Sequence, residues 1–305
     1  MDTLDIKIIR ELFQPKPLVP AREGQRKSFR AMGKKLGVSD GVVAKRVDRL
    51  MSSGLIKGFS LLLNMELLGL KVGVLALDIE ASTSRKEVAK RLSLVDGLFI
   101  VQTHVQGHVG VMFCYRDDES LQKRADLIST VAGARSAKLA RMLFPKSTVS
   151  LSKSDWRILS RLTRNVDMSL GQISEELHMS TRTVRRRIVR MTKGGVIFTL
   201  VSADVTAIRD AVMAELVVEY DGLSVRPQVD KMLFELLEPY YFSTGLWDTF
   251  SLFSMILPSI SKSREILETV KEAKGIRSAM LEFVEDRYEF YGYLHEVVDR
   301  KAAGL

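Results

Sequence analysis

The chain has 305 residues, of which 46% are hydrophobic and 27% are charged, a composition typical of a folded protein. A chain of this length predicts more than one domain. Its single cysteine, Cys114, excludes an internal disulfide framework and a multi-cysteine metal site. The sequence shows neither a signal-peptide pattern nor an apolar run of about 20 residues. We therefore expect a cytoplasmic protein with no membrane partner.

The net charge of +9 is distributed unevenly along the chain. Residues 1–63 carry +7, residues 64–147 carry +3, residues 148–200 carry +6 and residues 201–305 carry −7. The first basic block is thus followed by a less basic segment, and the second by an acidic one. This alternation predicts two basic modules carried on two scaffolds, and a basic module favours a polyanionic partner.

The sequence repeats itself at a shift of 141 residues. Residues 28–56 align without a gap on residues 169–197, with eight of 29 positions identical. A second echo, GARSAKL (133–139) against GIRSAML (275–281), occurs at nearly the same shift. Both echoes predict a duplication of a unit of about 150 residues.

Each basic block predicts three short helices followed by a wing hairpin. The first helix covers residues 5–12 in one block and 154–162 in the other. Serines are predicted to cap the second and third helices and glycines to end the third. These residues are Ser28, Ser39 and Gly54 in the first block, and Ser169, Ser180 and Gly195 in the second. Two helices joined by a tight turn, the second one cationic, predict a helix-turn-helix.

The segments after the basic blocks alternate strand and helix patterns in the order β-α-β-β-α-β, which predicts a ferredoxin-like domain. The predicted fold class is therefore α+β, a tandem repeat of a winged helix-turn-helix followed by a ferredoxin-like domain. The expected boundaries are 1–63 and 64–147 for the first copy, and 148–201 and 202–305 for the second. Residues 290–300 form an additional tail that we expect to be helical.

The stretch RTVRRRIVRM (182–191) places five arginines around Val184, Ile188 and Met191. At 100° per residue these apolar side chains form a narrow stripe, so the stretch predicts an amphipathic helix with a cationic exterior. A solvated face and a phosphate-binding face both fit this pattern. The absence of an acidic residue between Arg182 and Arg190 favours the second interpretation.

Three stretches carry a resemblance to a known family: LDIKIIREL (4–12), LGVSDGVVAKRVDRLMSSGLIKGF (36–59) and NMELLG (64–69). Here the first half resembles the Lrp/AsnC (feast/famine) family of transcription regulators, and residues 148–305 resemble a diverged second copy. The resemblance implies a regulator that binds double-stranded DNA. It also implies a homo-oligomer formed through the ferredoxin-like domains.

The sequence departs from the family pattern at three places. The family usually has a single unit, whereas this chain fuses two. The family's hairpin commonly carries a glycine-acidic turn that helps to bind small effectors, and the corresponding stretches here are QGHVG (106–110) and WDTFS (247–251). Effector binding is therefore left open. Finally, residues 14–27 lengthen the first inter-helix link and predict an extended arm, either solvated or in contact with DNA.

The candidate DNA-binding residues lie on the two predicted recognition helices. Residues at the start of each helix are expected to face base edges, and Arg49 and Arg190 to meet phosphates. Arg46 and Arg187 border the apolar stripes, so they either contact DNA or fix the helix in place. The full set is Ser39, Asp40, Gly41, Lys45, Arg46, Arg49, Ser180, Thr181, Arg182, Thr183, Arg185, Arg186, Arg187 and Arg190.

Signals of enzymatic chemistry are sparse. The sequence lacks a GxxxxGK[ST] loop, a GxGxxG fingerprint, an HExxH motif and a GxSxG motif. His104 and His108 share a predicted hairpin, and strand histidines of this kind are usually surface or core residues. Sirohaem decarboxylases resemble the same architecture and remain an enzymatic alternative, beside an architectural chromatin protein. We expect a non-enzyme with no catalytic residue, cofactor or metal site.

Overall fold

A computed structural model describes residues 1–13, 23–143, 147–204, 207–208 and 211–304. The described part of the first half contains five α-helices and five strands. In chain order these are α1 (Thr3–Phe13), α2 (Glu23–Leu36), α3 (Asp40–Ser52), β1 (Ile56–Leu63), β2 (Lys71–Asp78), α4 (Arg85–Leu92), β3 (Leu98–His104), β4 (His108–Tyr115), α5 (Asp118–Ala132) and β5 (Ser136–Arg141). A short 3₁₀ helix, Met65–Leu68, precedes β2.

The described part of the second half follows the same order and adds a final helix. Its elements are α6 (Lys153–Arg164), α7 (Leu170–Leu177), α8 (Thr181–Lys193), β6 (Ile197–Ala203), β7 (Val212–Tyr220), α9 (Arg226–Leu237), β8 (Tyr241–Leu246), β9 (Phe250–Leu257), α10 (Ile260–Lys271), β10 (Ile276–Glu289) and α11 (Gly292–Ala303). The helical tail expected at 290–300 is thus present as α11.

The chain packs as two compact units that group the segments by type. One unit comprises Met1–Lys7, Leu70–Leu143 and Asp204–Phe290, and contains the ferredoxin-like segments. The other comprises Ile8–Gly69, Phe144–Ala203 and Tyr291–Leu305, and contains both helix-turn-helix segments with α11. The four sequence boundaries drawn above stay predictions.

The capping residues place most helix ends where the sequence predicts them. The side chains of Ser39 and Ser180 accept hydrogen bonds from the first turns of α3 and α8, and Ser169 forms a capping box with Gln172 at α7. The prediction for Ser28 is wrong, because α2 begins at Glu23 and Ser28 lies inside it. For the same reason residues 23–27 are helical and are not part of an arm, whereas residues 14–22 lie outside the described residues.

The strands after α3 and α8 pair with each other. The predicted hairpin in each block is wrong, because β1 and β6 form a two-stranded antiparallel sheet in which Leu63 lies opposite Ile197. Asn64 follows β1 and is fully buried. Its backbone N–H donates to the carbonyl of Val196 at 2.8 Å, and its side-chain amide donates to the carbonyl of Gly195 at 3.2 Å.

The ferredoxin-like segments form one eight-stranded antiparallel sheet in the order β5-β2-β4-β3-β10-β7-β9-β8. Each group of four has the strand order of a ferredoxin-like β-α-β-β-α-β unit, which confirms the predicted fold class. Alternate side chains of the strands pack against the helices, as the two-residue period requires. Phe113 and Phe253, both buried, lie in the two resulting cores.

The two groups of strands are joined in the middle of the sheet by β3 and β10, where Val284 lies opposite His104. The two edge strands also approach each other at one end. Met142 and Trp247 form an isolated antiparallel bridge there. The edges of this sheet are therefore linked within the unit at that point, which reduces the unpaired backbone available to another strand.

The last helix, α11, packs on α6. Asp299 of α11 accepts a hydrogen bond from the Ser160 hydroxyl at 2.6 Å and pairs with Arg164. Within the described ranges, no helix is long and apolar enough to cross a membrane.

Candidate nucleic-acid interface

Helix α8 buries one narrow stripe and exposes cations around it. Val184, Ile188 and Met191 are at most 1% exposed, as their spacing predicts. The helix also begins at a well-formed cap, since Ser180 accepts a hydrogen bond from the Thr183 backbone at 3.2 Å and its hydroxyl bonds that of Thr183. The cap fixes the position of the first turn of α8.

The arginines of α8 divide into two groups by their partners. Arg187 and Arg190 pair with Asp155 of α6, with N–O distances of 2.9 and 2.6 Å. Arg182 and Arg186 are exposed and pair with no acidic side chain of the described residues. Arg185 is half-buried. The start of α8 therefore presents two cations, Arg182 and Arg186, that have no carboxylate partner among the described residues.

Asp155 is fully buried behind α8 and receives four hydrogen bonds. Two come from the Ser152 backbone N–H and hydroxyl, at 2.8 and 2.6 Å, in a capping box at the start of α6. The other two come from Arg187 and Arg190. Burial alone raises the pKa of a carboxyl group, but the hydrogen bonds from Ser152 and Arg187 and the charge of Arg190 outweigh it. The pKa of Asp155 therefore lies below its ordinary value.

The equivalent helix of the first half, α3, buries a matching stripe but exposes mixed charges. Val43, Val47 and Leu50 are buried. Lys45 and Arg49 are exposed together with two acids, Asp40 and Asp48. The remaining candidates of this helix are placed at its start and beside the stripe: Ser39 and Gly41 are exposed and Arg46 is half-buried. The Asp40 carboxylate accepts the Gly41 N–H at 3.0 Å.

Two features of the site were missed by the sequence reasoning. The first is Asp155, which the pattern Ser152-x-x-Asp155 signals as half of a capping box. Asp5 takes the same place in α1, where it is fully buried; the backbone N–H of Asp2 donates to the Asp5 carboxylate, and that of Asp5 donates to the Asp2 carboxylate. The second is the left-handed residue in the turn before each recognition helix, Gly37 at φ 71° and His178 at φ 53°.

The two histidines of the first hairpin, His104 and His108, lie in a polar cluster of the sheet. His104 is 3% exposed, and its Nε2 lies 3.3 Å from Glu215. Glu282 contacts His108 and lies 3.9 Å from Nδ1 of His104. Burial lowers the pKa of a histidine, but the hydrogen bond and charge of Glu215, with the charge of Glu282, outweigh it and raise the pKa of His104 above its ordinary value. The cluster is thus an ion-pair network within the sheet.

The two hairpin turns that correspond to the family's effector turn are hydrogen-bonded into the sheet. The Gln106 side chain accepts the Phe283 N–H at 3.0 Å and donates to the Leu281 carbonyl at 3.4 Å. In the second half, Asp248 accepts the Arg141 backbone N–H at 2.8 Å. Each turn therefore contacts the last strand of the other half.

Comparisons with known proteins agree with this architecture. A family described as winged helix-turn-helix DNA-binding matches residues 151–197. The HTH-type transcriptional regulator Ptr1 of Methanocaldococcus jannaschii is 34% identical over 124 residues, which cover 40% of this chain and 78% of that regulator. An uncharacterised HTH-type transcriptional regulator of Pyrococcus furiosus is 29% identical over 92 residues, covering 30% of this chain and 56% of the relative.

Among solved structures, the sirohaem decarboxylase NirDL is similar over nearly the whole chain. The match to its complex with an iron-uroporphyrin III analogue covers 99% of both chains with a TM-score of 0.55 and 14% sequence identity. At this level of identity the likeness shows a shared fold.

Proposed function

The chain belongs to the helix-turn-helix transcriptional regulators, and on that premise we propose that it is of the Lrp/AsnC type and binds specific sequences in double-stranded DNA with α8 in the major groove. The observation that carries the proposal is the composition of α8. Its buried stripe fixes the helix on the unit, while Arg182 and Arg186 project from its first two turns with no acidic partner among the described residues.

The start of α8 is the part of a recognition helix that contacts base edges. Thr181, Arg182 and Arg186 are exposed there, and arginine donates two parallel hydrogen bonds to the acceptors of guanine. We assign base readout to these three residues. Thr183 and Ser180 hold the cap, so they contribute by orienting the first turn.

The other arginines of α8 are assigned to positioning and to phosphates. Arg187 is committed to Asp155 and Ser152, so we assign it to fixing the helix. Arg190 also bonds Asp155, but 45% of its side chain is exposed. An arginine has five N–H donors, which leaves Arg190 able to contact a phosphate, as we also propose for Arg185.

A tandem duplication explains the repeated order of elements in the two halves. Because α3 and α8 expose different side chains, the proposed target is an asymmetric DNA site and not the palindrome of a homodimer. We further propose that chains associate through their ferredoxin-like segments. Whether a small effector binds stays an open question, because the two hairpin turns are already hydrogen-bonded to β10 and β5.

The first test measures binding of the full chain to two duplexes. One is selected by the protein from a random-sequence DNA library, and the other is a scrambled duplex of the same composition. The variant R182A/R186A is compared with K86A/K90A, which removes two exposed cations one turn apart on α4. Loss of two arginine–base contacts should weaken binding to the selected duplex about a hundredfold, and binding to the scrambled duplex less.

The K86A/K90A control should leave both affinities within a factor of about two, because α4 lies outside the proposed interface. Circular dichroism establishes that each variant is folded. A folded R182A/R186A protein that binds the selected duplex as tightly as the unmodified chain would contradict the proposal. Failure of the selection to enrich any sequence would favour an architectural protein.

A further inference from the structure

The two helix-turn-helix segments place their exposed cations on different helices. In the first segment, Arg30 and Lys34 are exposed on α2, and the described side chains of that helix, from position 29 to its end, include no acid. At the equivalent positions of α7 the second segment has Gly171 and Glu175. The recognition helices show the reverse pattern, since α3 exposes Asp40 and Asp48 whereas α8 has no acidic residue.

Arg30 and Lys34 form one cationic patch on the surface of α2. They are four residues apart, so they lie on one side of α2. With Ser39 and Asp40 at the start of α3 they border an open groove of about 530 Å³. Neither cation pairs with an acid among the described side chains, whereas the adjacent Lys35 pairs with Glu11 at 2.5 Å.

From this reversal we infer that the first helix-turn-helix is a phosphate-binding anchor, with Arg30 and Lys34 as its contacts, and that sequence is read by the second. The inference rests on the proposed function. When a recognition helix lies in the major groove, the preceding helix crosses the DNA backbone. This arrangement places α2 beside phosphates, with two cations that pair with no acid among the described side chains, and a phosphate contact carries no sequence information.

The exposed acids of α3 support the same division. Asp40 stands at the start of the helix, where Thr181 stands in α8, and it uses one carboxylate oxygen on the Gly41 N–H. The positions equivalent to Arg182 and Arg186 are Gly41 and Lys45. The first turns of α3 therefore present one cation and one acid, a weaker attraction for a polyanion than the two arginines of α8.

The experiment compares R30A/K34A with R182A/R186A on the selected and the scrambled duplex, over a range of salt concentrations. Each lost phosphate contact flattens the plot of log affinity against log salt by about 0.9. We expect R30A/K34A to reduce this slope by about two units on both duplexes and to weaken both affinities by the same factor. The ratio of the two affinities should then stay unchanged.

A gain-of-contact variant makes the test independent of any loss of folding. G171R/E175K gives α7 the side chains of α2, and we expect it to steepen the salt slope by about one to two units on both duplexes. An unchanged slope in folded R30A/K34A, or a loss confined to the selected duplex, overturns the inference. If R182A/R186A still lowers the affinity ratio, the proposed function stands; if no variant alters binding, the proposed function fails as well.

Discussion

The two ferredoxin-like segments share a strand order but carry opposite charges where they meet. In the ion pairs that the described residues form between the two halves of the sheet unit, the cation or histidine comes from the first half and the carboxylate from the second. These pairs are Lys7–Glu238, Arg85–Glu285, His104–Glu215, His104–Glu282, His108–Glu282, Lys138–Glu219 and Arg141–Asp248. The segment charges of +3 and −7 follow the same division.

This difference shows that the two halves are complementary in charge, although their cores are alike. Opposite charges favour contact of a first half with a second half, and like charges disfavour contact between two identical halves. The helix-turn-helix segments differ in a parallel way, since they keep the same buried stripes and have exchanged their exposed charges. In both units the apolar residues preserve the fold while the polar residues distinguish one half from the other.

The largest expected effect comes from removing the buried carboxylate behind α8. D155A removes the carboxylate partner of Arg187 and Arg190, and we expect it to lower the free energy of unfolding by about 3 kcal/mol. Because the pKa of Asp155 is lowered in the folded protein, its contribution is complete above the unfolded pKa and is lost as pH falls through the folded value. Urea titrations at pH 7 and near pH 3 measure this, and the deficit should shrink at the lower pH.

The exposed Asp167 provides the matched control, and D167A should cost less than about 0.5 kcal/mol. Equal losses in D155A and D167A would show that the Asp155 network contributes nothing particular to the second helix-turn-helix. D5A allows the same measurement of the free energy of unfolding in the first half, because Asp5 is as fully buried as Asp155.

A smaller effect is expected at the junction of the two halves. H104A removes the imidazole between Glu215 and Glu282, and a hydrogen bond to a charged group contributes about 2 kcal/mol. The pKa of His104 is raised in the folded state. Its contribution is therefore complete below the unfolded pKa and lost as pH rises through the folded value.

The direction of this pH dependence is tested by measuring the free energy of unfolding of H104A and of the unmodified chain at pH 6 and pH 9. The difference between the two proteins should be larger at pH 6. A constant difference would mean that His104 stabilises the junction by packing alone. H108A serves as the control, because the His108 side chain is 35% exposed and should contribute less than His104.

Most of the fold was predictable from local patterns, and most of the errors concern pairing at long range. The stripe of Val184, Ile188 and Met191 and the caps at Ser39 and Ser180 depend on residues within one or two turns, so the sequence contains the whole signal. The pairing of β1 with β6 joins residues more than 130 positions apart. A strand that is apolar and β-branched does not specify its partner, so local patterns predict a hairpin for each of these two strands.

The site was predictable in its exposed residues but not in their partners. The cationic character of α8 follows from its composition. The ion pairs of Arg187 and Arg190 with Asp155, by contrast, depend on how α6 packs behind α8. Burial of Asp155 has no signature in a charge count. Similarly, His104 and Glu215 are 111 positions apart, and only the order of strands in the sheet brings them together.

The smallest effect concerns the turn before each recognition helix, where one half has glycine and the other does not. His178 has a left-handed backbone, the only non-glycine residue that does so in the described ranges, whereas the equivalent Gly37 adopts it freely. A side chain in this conformation costs about 1 kcal/mol. H178G should therefore raise the free energy of unfolding by up to that amount, and G37A should lower it similarly, since a Cβ at Gly37 meets no atom within 4 Å. Urea unfolding of both variants measures the pair. H178A keeps the strained backbone and should give no gain; a gain in H178A equal to that in H178G would assign the effect to the imidazole and not to the turn.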